Sequence, residues 1–262
     1  MPKIAISGKG GVGKTTLAAL LAHIFTQQGY MVFAIDADPN ANLGSALGFP
    51  PEVMAHITPI ADMKELIAER TGAQSGLYGG YFRLNPQVDD IPDRFSAQHR
   101  GIRLLVMGMV RGAGVGCMCP ENALLRTLVA HLLLQREEMV ILDMVAGLEH
   151  LGRGTAAAVD LLMGVVEPGR RSAQTARRIA GLASDLGIGR YGVVGNKVRD
   201  GRDRALIEEA LGEVPILGFL PYDPQAIEAD LEGEAAFDRA PRLVAQARRI
   251  ADEILALISD GR

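Results

Sequence analysis

The sequence predicts an α/β fold in which a mostly parallel central sheet is covered by helices on both faces. Three observations indicate it: short apolar runs alternate with longer helical patterns, 48% of the residues are hydrophobic, and a glycine-rich segment joins the first run to the first helix. Runs that are apolar throughout are typical of strands buried on both faces. At 262 residues, we expect one domain spanning residues 1–262.

The elements follow from these runs in chain order. The predicted strands are Ile4–Ser7, Met31–Ile35, Arg103–Met107, Met139–Leu142, Leu161–Val166, Tyr191–Val194 and Ile216–Leu220. The predicted helices are Thr15–Gln28, Asn122–Arg136, Arg171–Leu186, Asp203–Leu211 and Arg242–Ile258. Residues 72–100 are rich in Gly, Pro, Asp and Gln, so we expect an insertion or an edge hairpin there.

Composition excludes several classes of function. The net charge of −4 gives no overall electrostatic footprint for nucleic acid or an anionic membrane. No apolar run approaches the roughly 18 residues that a membrane helix needs, and the first residues lack the core of a signal peptide. Two cysteines make no disulfide framework. We therefore expect a cytoplasmic protein that binds neither nucleic acid nor membrane.

A phosphate-binding loop lies between the first predicted strand and the first predicted helix. Its sequence is Gly8-Lys9-Gly10-Gly11-Val12-Gly13-Lys14-Thr15-Thr16. The glycines let successive backbone amides turn toward an anion, and the helix adds its positive N-terminal end. Lys14 is expected to reach the β- and γ-phosphates, and the Thr15 hydroxyl is expected to bind Mg²⁺. The segment thus predicts a P-loop NTPase.

Lys9, five residues before Lys14, makes the loop more specific. A second lysine at this point resembles the deviant Walker A ATPases, a superfamily that includes MinD, ParA and the nitrogenase iron protein. The resemblance implies an ATP-dependent homodimer in which Lys9 contacts the phosphates bound by the partner subunit. The alternative is a solvated surface lysine.

Acidic residues follow two of the predicted strands. Asp36 and Asp38 come after the second strand, and Asp143 ends the fourth, before Met144-Val145-Ala146-Gly147. Carboxylates at strand ends beside a phosphate site hold Mg²⁺ or orient water. The resemblance makes Asp38, which precedes a proline, the residue that positions the attacking water. Asp36 and Asp143 become magnesium contacts, direct or through water, and Gly147 the switch that senses the γ-phosphate.

The base pocket is expected near two later strands. Asn196 resembles the adenine-recognition residue of these ATPases, and the turn at Pro221 would form the other wall. Asp200 lies one position too late for the Asn-Lys-x-Asp pattern of guanine-binding proteins. ATP is therefore expected rather than GTP.

Cys117 and Cys119 are the only cysteines of the chain. Two thiols two residues apart form a strained disulfide but can both face one soft metal ion. Two ligands do not complete a tetrahedral site, whereas a symmetric dimer supplies four. The alternative is a pair of incidental cysteines.

Two further segments narrow the resemblance. With the cysteine pair, residues 143–155 and the segment Glu-Pro-Gly-Arg-Arg-Ser at 167–172 resemble the CooC-type accessory ATPases of carbon monoxide dehydrogenase. The resemblance runs from residue 3 to about residue 235. It implies that Cys117 and Cys119 bind nickel across the dimer, with zinc able to replace it, and that the client is a nickel enzyme: carbon monoxide dehydrogenase, or alternatively acetyl-CoA synthase. One departure is Val145, where an acidic residue is expected.

Two other functions remain as alternatives. An iron–sulfur protein like the nitrogenase iron protein needs a cluster cysteine where this chain has Ala146. A MinD-like or ParA-like positioning ATPase needs a basic membrane-binding tail or a basic DNA-binding surface. The tail at 250–258 is amphipathic but acidic, and we expect it to pack on the sheet. A cluster of arginines at positions 170, 171, 177 and 178 is the only support for the DNA-binding alternative.

Overall fold

The computed structural model describes residues 1–73, 81–108, 119–145, 147, 151 and 153–259, and in these ranges eight strands form a single sheet. The strands are β1 (Lys3–Ser7), β2 (Val32–Ala37), β3 (Ala97–His99), β4 (Ile102–Val106), β5 (Met139–Met144), β6 (Leu161–Val166), β7 (Tyr191–Val198) and β8 (Ile216–Pro221). Their order is β3-β4-β2-β5-β1-β6-β7-β8. Every neighbouring pair is parallel except the antiparallel edge pair β3–β4. The predicted fold class is confirmed.

Helices cover both faces of this sheet. They are α1 (Lys14–Gln27), α2 (Leu43–Ala46), α3 (Pro51–Met54), α4 (Lys64–Thr71), α5 (Ile91–Phe95), α6 (Pro120–Gln135), α7 (Arg153–Ala156), α8 (Arg170–Leu186), α9 (Gly201–Leu211), α10 (Pro224–Glu232), α11 (Ala236–Arg239) and α12 (Pro241–Ser259). Helices α1 and α12 pack in the hydrophobic core on one face, while α4 and α6 pack in the core on the other. Helices α8 and α9 cover the β6–β7 side.

All seven predicted strands and all five predicted helices are present; β6 has the predicted bounds, and the other elements have shifted ends. The largest shift is in β7, which runs to Val198, so Asn196 and Lys197 lie inside the strand rather than after it. Between residues 81 and 100 the structure places α5 and then β3, which forms the edge hairpin with β4. Helix α12 buries Ile250, Ile254 and Ile258 against α1 and β8, as expected for the tail. No helix of the described residues is long and apolar enough to cross a membrane.

The sheet brings the ends of several strands to one edge. In a parallel sheet the carboxyl ends of neighbouring strands lie side by side, and ligands bind in the crevice outside them. The central strand β1 lies between β5 and β6, and Ile6 pairs with Asp143 in register. Asp36 of β2 pairs in turn with Asp143. The register therefore places the loop after β1 beside both carboxylates.

Candidate functional site

The glycine loop after β1 has the backbone geometry of an anion-binding turn. Gly13 takes the left-handed conformation with φ 94° and is the N-cap of α1, which begins at Lys14. No side chain of the described residues caps α1, so its first amides are left for a ligand. Lys14 is only 6% exposed, whereas Lys9 and Gly10 are exposed. The two lysines of the loop therefore have different surroundings: one points into the site and the other into solvent.

Two loop glycines are required by close packing. A Cβ atom at Gly8 would lie 2.6 Å from the carbonyl oxygen of Val165 on β6. A Cβ atom at Gly13 would overlap the side-chain amide of Asn196. Since real Cβ atoms essentially never come within 3.0 Å of another heavy atom, the loop lies directly against the backbone of β6 and a side chain of β7.

Asp143 is a buried carboxylate with one oxygen unused. Its Oδ2 accepts a hydrogen bond of 2.6 Å from the Thr15 hydroxyl, while Oδ1 is buried and has no partner among the described residues. Burial raises the pKa of Asp143 to about 7, and the nearby charge of Asp36 adds to the shift. An unpaired buried carboxylate beside a hydroxyl is the kind of oxygen donor set that Mg²⁺ takes, so these residues fit the magnesium ion that a P-loop implies.

Asp36 and Asp38 organise the segment after β2. Asp36 is fully buried, and its two oxygens accept hydrogen bonds from the amides of Asp38 at 3.1 Å and Leu43 at 2.8 Å. Burial raises its pKa to about 6. Asp38 is half-buried and accepts a hydrogen bond from the Asn40 amide. Its charge also raises the pKa of Asp143, so the three acidic residues lie in one electrostatic neighbourhood.

A cavity of about 240 Å³ lies beside the loop. Its lining includes Gly13, Thr16, Asn196, Pro221 and Tyr222, which brings the two predicted base-pocket residues together with the loop. The amide of Asn196 donates a 2.8 Å hydrogen bond to the carbonyl of Val12, and its oxygen accepts one from the Lys197 amide. Both ends of this amide are thus bonded to backbone in the structure.

Asp200, which lies one position too late for the guanine-binding pattern, has a structural role in helix α9. Its side chain caps helix α9 by accepting a 3.0 Å hydrogen bond from the Asp203 amide. It does not line the cavity beside the loop. The expectation of ATP rather than GTP therefore has a structural reason.

Sequence reasoning missed two residues that hold this site together. Ser7 is fully buried, and its hydroxyl lies 3.0 Å from the carbonyl of Val145 and 3.1 Å from that of Gly147. The Gly147 amide also donates to the same hydroxyl at 3.2 Å. Because Val145 contributes its backbone carbonyl, the missing acidic side chain at that position leaves the contact intact. No local pattern around Ser7 indicated it.

Lys197 is the second missed residue. Its ammonium donates a 2.6 Å hydrogen bond to the carbonyl of Gly11 and forms a 3.1 Å ion pair with Glu167. Its backbone is left-handed, with φ 57°, which is uncommon for a residue with a side chain. The signal was the scarcity of lysine, since the chain has only five and three of them now lie at the loop.

The cysteine segment is described only in part. Cys119 is the N-cap of α6 and is half-buried, next to Pro120 at the first helical position. Cys117 and Ala146 lie outside the described residues, as do residues 148–150 of the second switch. In the described ranges, no group of three or more His, Cys, Asp or Glu side chains is placed to hold a metal ion.

Comparison with known proteins matches the chain to a family of nucleotide-binding domains. Residues 3–237 match the model of the CobQ/CobB/MinD/ParA nucleotide binding domain. The chain is 50% identical over 239 residues to the carbon monoxide dehydrogenase accessory protein CooC of Rhodospirillum rubrum, covering 91% of this chain and 90% of that protein. It is 46% identical over 235 residues to an uncharacterised ATP-binding protein of Methanocaldococcus jannaschii, covering 88% and 90%.

Solved structures show the same fold. A chain of the MinC:MinD cell division protein complex of Aquifex aeolicus superposes with a TM-score of 0.69 at 20% identity, covering 98% of this chain and 96% of that chain. A ParA family ATPase from Chlorobium tepidum gives 0.68 at 20% identity, covering 97% of each chain.

Proposed function

Because this chain belongs to the CobQ/CobB/MinD/ParA nucleotide-binding family, and within it to the CooC-type carbon monoxide dehydrogenase accessory proteins, we propose that it is a dimerising ATPase that carries nickel to that enzyme. The observation that carries the proposal is the combination of this kinship with the loop geometry around Lys14 and Asp143. The kinship supports the client, and the geometry supports the chemistry. A cytoplasmic location is part of the proposal, since thiols stay reduced there.

The nucleotide is held by the loop amides, the first turn of α1 and Lys14. Thr15 and the unpaired oxygen of Asp143 would hold Mg²⁺, which neutralises phosphate charge when it is bound. Asp38 is half-buried at the same edge of the sheet, and we assign to it the role of orienting the attacking water. Asp36 keeps the segment that carries Asp38 in place through its two amide hydrogen bonds.

The dimer is supported by the contrast between the two loop lysines. Lys14 is buried in its own site, whereas Lys9 is exposed at the outer side of the loop. An exposed ammonium on a flexible four-carbon stem is free to contact an anion bound by a second molecule. We therefore assign Lys9 to the nucleotide of the partner subunit.

Nickel is the cargo, and the thiolates of Cys117 and Cys119 are its ligands. A pair contributed by each subunit gives the four soft ligands that one subunit lacks. The second switch is joined to the nucleotide site, because Thr15 bonds to Asp143 and Ser7 bonds to the backbone at Val145 and Gly147. In this proposal hydrolysis relaxes the dimer and thereby alters the metal site that the two subunits share, so that nickel is released or handed over.

The test is a titration of reduced, anaerobically purified protein with Ni²⁺ and with Zn²⁺, followed by absorbance and gel filtration. Since the chain has only two cysteines, every thiolate-to-nickel absorption band belongs to this pair. We expect one Ni²⁺ per dimer and loss of binding in the Cys117→Ser/Cys119→Ser variant. His56→Asn, a change at an exposed histidine, is the matched control and keeps full binding.

Four other results would each overturn a part of the proposal. Wild-type protein that binds neither metal removes the nickel role. A broad visible absorption band in the anaerobically purified protein, before any metal is added, identifies an iron–sulfur protein instead. A Lys9→Ala variant that retains full ATP-dependent dimerisation contradicts the role of Lys9 across the interface. Preferential activation of acetyl-CoA synthase reassigns the client and leaves the ATPase unchanged.

A further inference from the structure

Helix α8 presents an exposed basic face that the nucleotide site does not use. We define this basic face by its four exposed arginines: Arg170, Arg171, Arg177 and Arg178. The opposite side of the helix, including Ala176 and Ile179, is buried against the sheet. Residues seven apart on a helix lie almost in line, so the four arginines form two rows, each about 11 Å long.

In the part of the chain that the structure describes, no acidic side chain forms an ion pair with any of the four arginines of this face. Elsewhere arginines such as Arg103, Arg136 and Arg239 pair with carboxylates. Four adjacent positive charges are thus left exposed on a protein whose net charge is −4.

The placement of Arg170 and Arg171 opposes the dipole of the helix. The N-terminal end of a helix is positive and favours acidic residues, yet the first turn of α8 has none and begins with Arg170 and Arg171. Its last turn has no basic residue and carries Asp185 instead. Since both ends have the unfavourable sign, the arrangement does not serve the stability of the helix. It indicates contact with an anionic surface.

The composition of the face favours a protein surface over nucleic acid. Arginine is enriched at protein interfaces and lysine is depleted there, and α8 contains four arginines and no lysine. The exposed residues Gly181 and Leu182 extend the face with an uncharged part. Four arginines are fewer than the roughly six to ten phosphate contacts of a typical DNA-binding protein, and the remainder of the chain is acidic.

We propose that the basic face of α8 docks onto a carboxylate-rich surface of the client enzyme. The identity of the client rests on the function proposed above, whereas the chemistry of the surface rests on the four arginines. The face also lies on the segment that supports the phosphate loop, because Glu167, three residues before α8, pairs with Lys197, which donates to the carbonyl of Gly11. A docked client therefore contacts the same segment that holds the nucleotide loop.

The experiment compares charge reversals on two helices. One pair of variants is Arg170→Glu/Arg171→Glu and Arg177→Glu/Arg178→Glu, and the matched control is Arg242→Glu/Arg249→Glu. The control changes the charge equally at two exposed arginines of α12. Binding to purified nickel-free carbon monoxide dehydrogenase is measured by biolayer interferometry with ATP present. We expect each α8 variant to bind at least about tenfold more weakly, mainly through slower association, and the control to stay within about twofold.

Salt provides a second readout. Raising the ionic strength from about 0.05 to about 0.3 M weakens binding of the wild type and leaves the α8 variants nearly unchanged. Wild type and α8 variants that bind the enzyme equally well overturn the docking surface alone. Wild type that does not bind overturns both this inference and the proposed client. Loss of ATP-dependent dimerisation in the α8 variants, or arginine-dependent binding of duplex DNA, assigns the face to a different contact and also overturns the inference.

Discussion

The buried carboxyl of Asp143 makes the folding stability of the protein depend on pH. Burial raises the pKa of this carboxyl from 3.8 to about 7, and the neighbouring charge of Asp36 adds to the shift. Between these values the folded protein holds a proton that the unfolded chain has released, so folding stability falls as pH rises and levels off above about pH 8. A shift of about three pKa units amounts to about 4 kcal/mol in full. About 2.5 kcal/mol of it develops between about pH 5 and about pH 8.

The Asp143→Asn variant removes this ionisation while keeping an oxygen for the Thr15 hydroxyl. Its buried NH₂ group takes the place of an oxygen without a partner among the described residues and costs roughly 1–3 kcal/mol at every pH. At a single pH this cost partly cancels the gain from removing the ionisation. The informative quantity is therefore how the difference in stability between variant and wild type changes with pH. We expect the variant to gain about 2.5 kcal/mol relative to wild type between about pH 5 and about pH 8.

Urea unfolding without nucleotide or magnesium measures this difference. The chain has no tryptophan, so far-ultraviolet circular dichroism is the natural signal. Glu253→Gln, at an exposed position of α12, is the control and should run parallel to wild type. Adding MgADP should stabilise wild type and leave Asp143→Asn unchanged. If the gap between variant and wild type is the same at both pH values, ionised Asp143 carries no burial penalty and our reasoning is wrong.

Three further predictions concern the packing of the loop. Gly13→Ala should abolish nucleotide binding and destabilise the fold more than Gly11→Ala. Both positions have a left-handed backbone, but only a Cβ atom at position 13 meets the amide of Asn196. Calorimetry measures the nucleotide affinity and urea unfolding measures the stability, and equal losses of both in the two variants would contradict the packing argument. Ser7→Ala should lower the free energy of unfolding by roughly 1–3 kcal/mol and speed hydrogen exchange at the Gly147 amide, because buried backbone groups lose their partner. An unchanged exchange rate at this amide would show that Ser7 does not hold the second switch in place. Lys197→Met should weaken ADP binding by roughly tenfold and change the free energy of unfolding little, because a charged hydrogen bond to the loop is lost. The control Lys64→Met, at an exposed position, should bind ADP with the affinity of the wild type.

The sequence allowed the sheet and most of the site to be predicted, because both depend on local patterns. Apolar runs gave the buried strands, and the acidic residues at strand ends gave Asp36 and Asp143. The position of β3 within the expected insertion or edge hairpin at 72–100 was not predicted, since its three residues are partly polar and gain their structure by pairing with β4. The short helix α2 has no amphipathic period either, and its first residue is fixed by a carboxylate of another element, Asp36.

The contacts that could not be predicted are those that connect distant parts of the chain. They join the phosphate loop to two different segments. Ser7 and Val145 are 138 residues apart in sequence, and Lys197 and Gly11 are 186 apart. The first contact ties the base of the loop to the second switch, whereas the second ties its tip to β7, Glu167 and the segment entering α8. Because the two contacts share no side chain, a change at Ser7 should disturb the switch while nucleotide affinity persists, and a change at Lys197 should do the reverse.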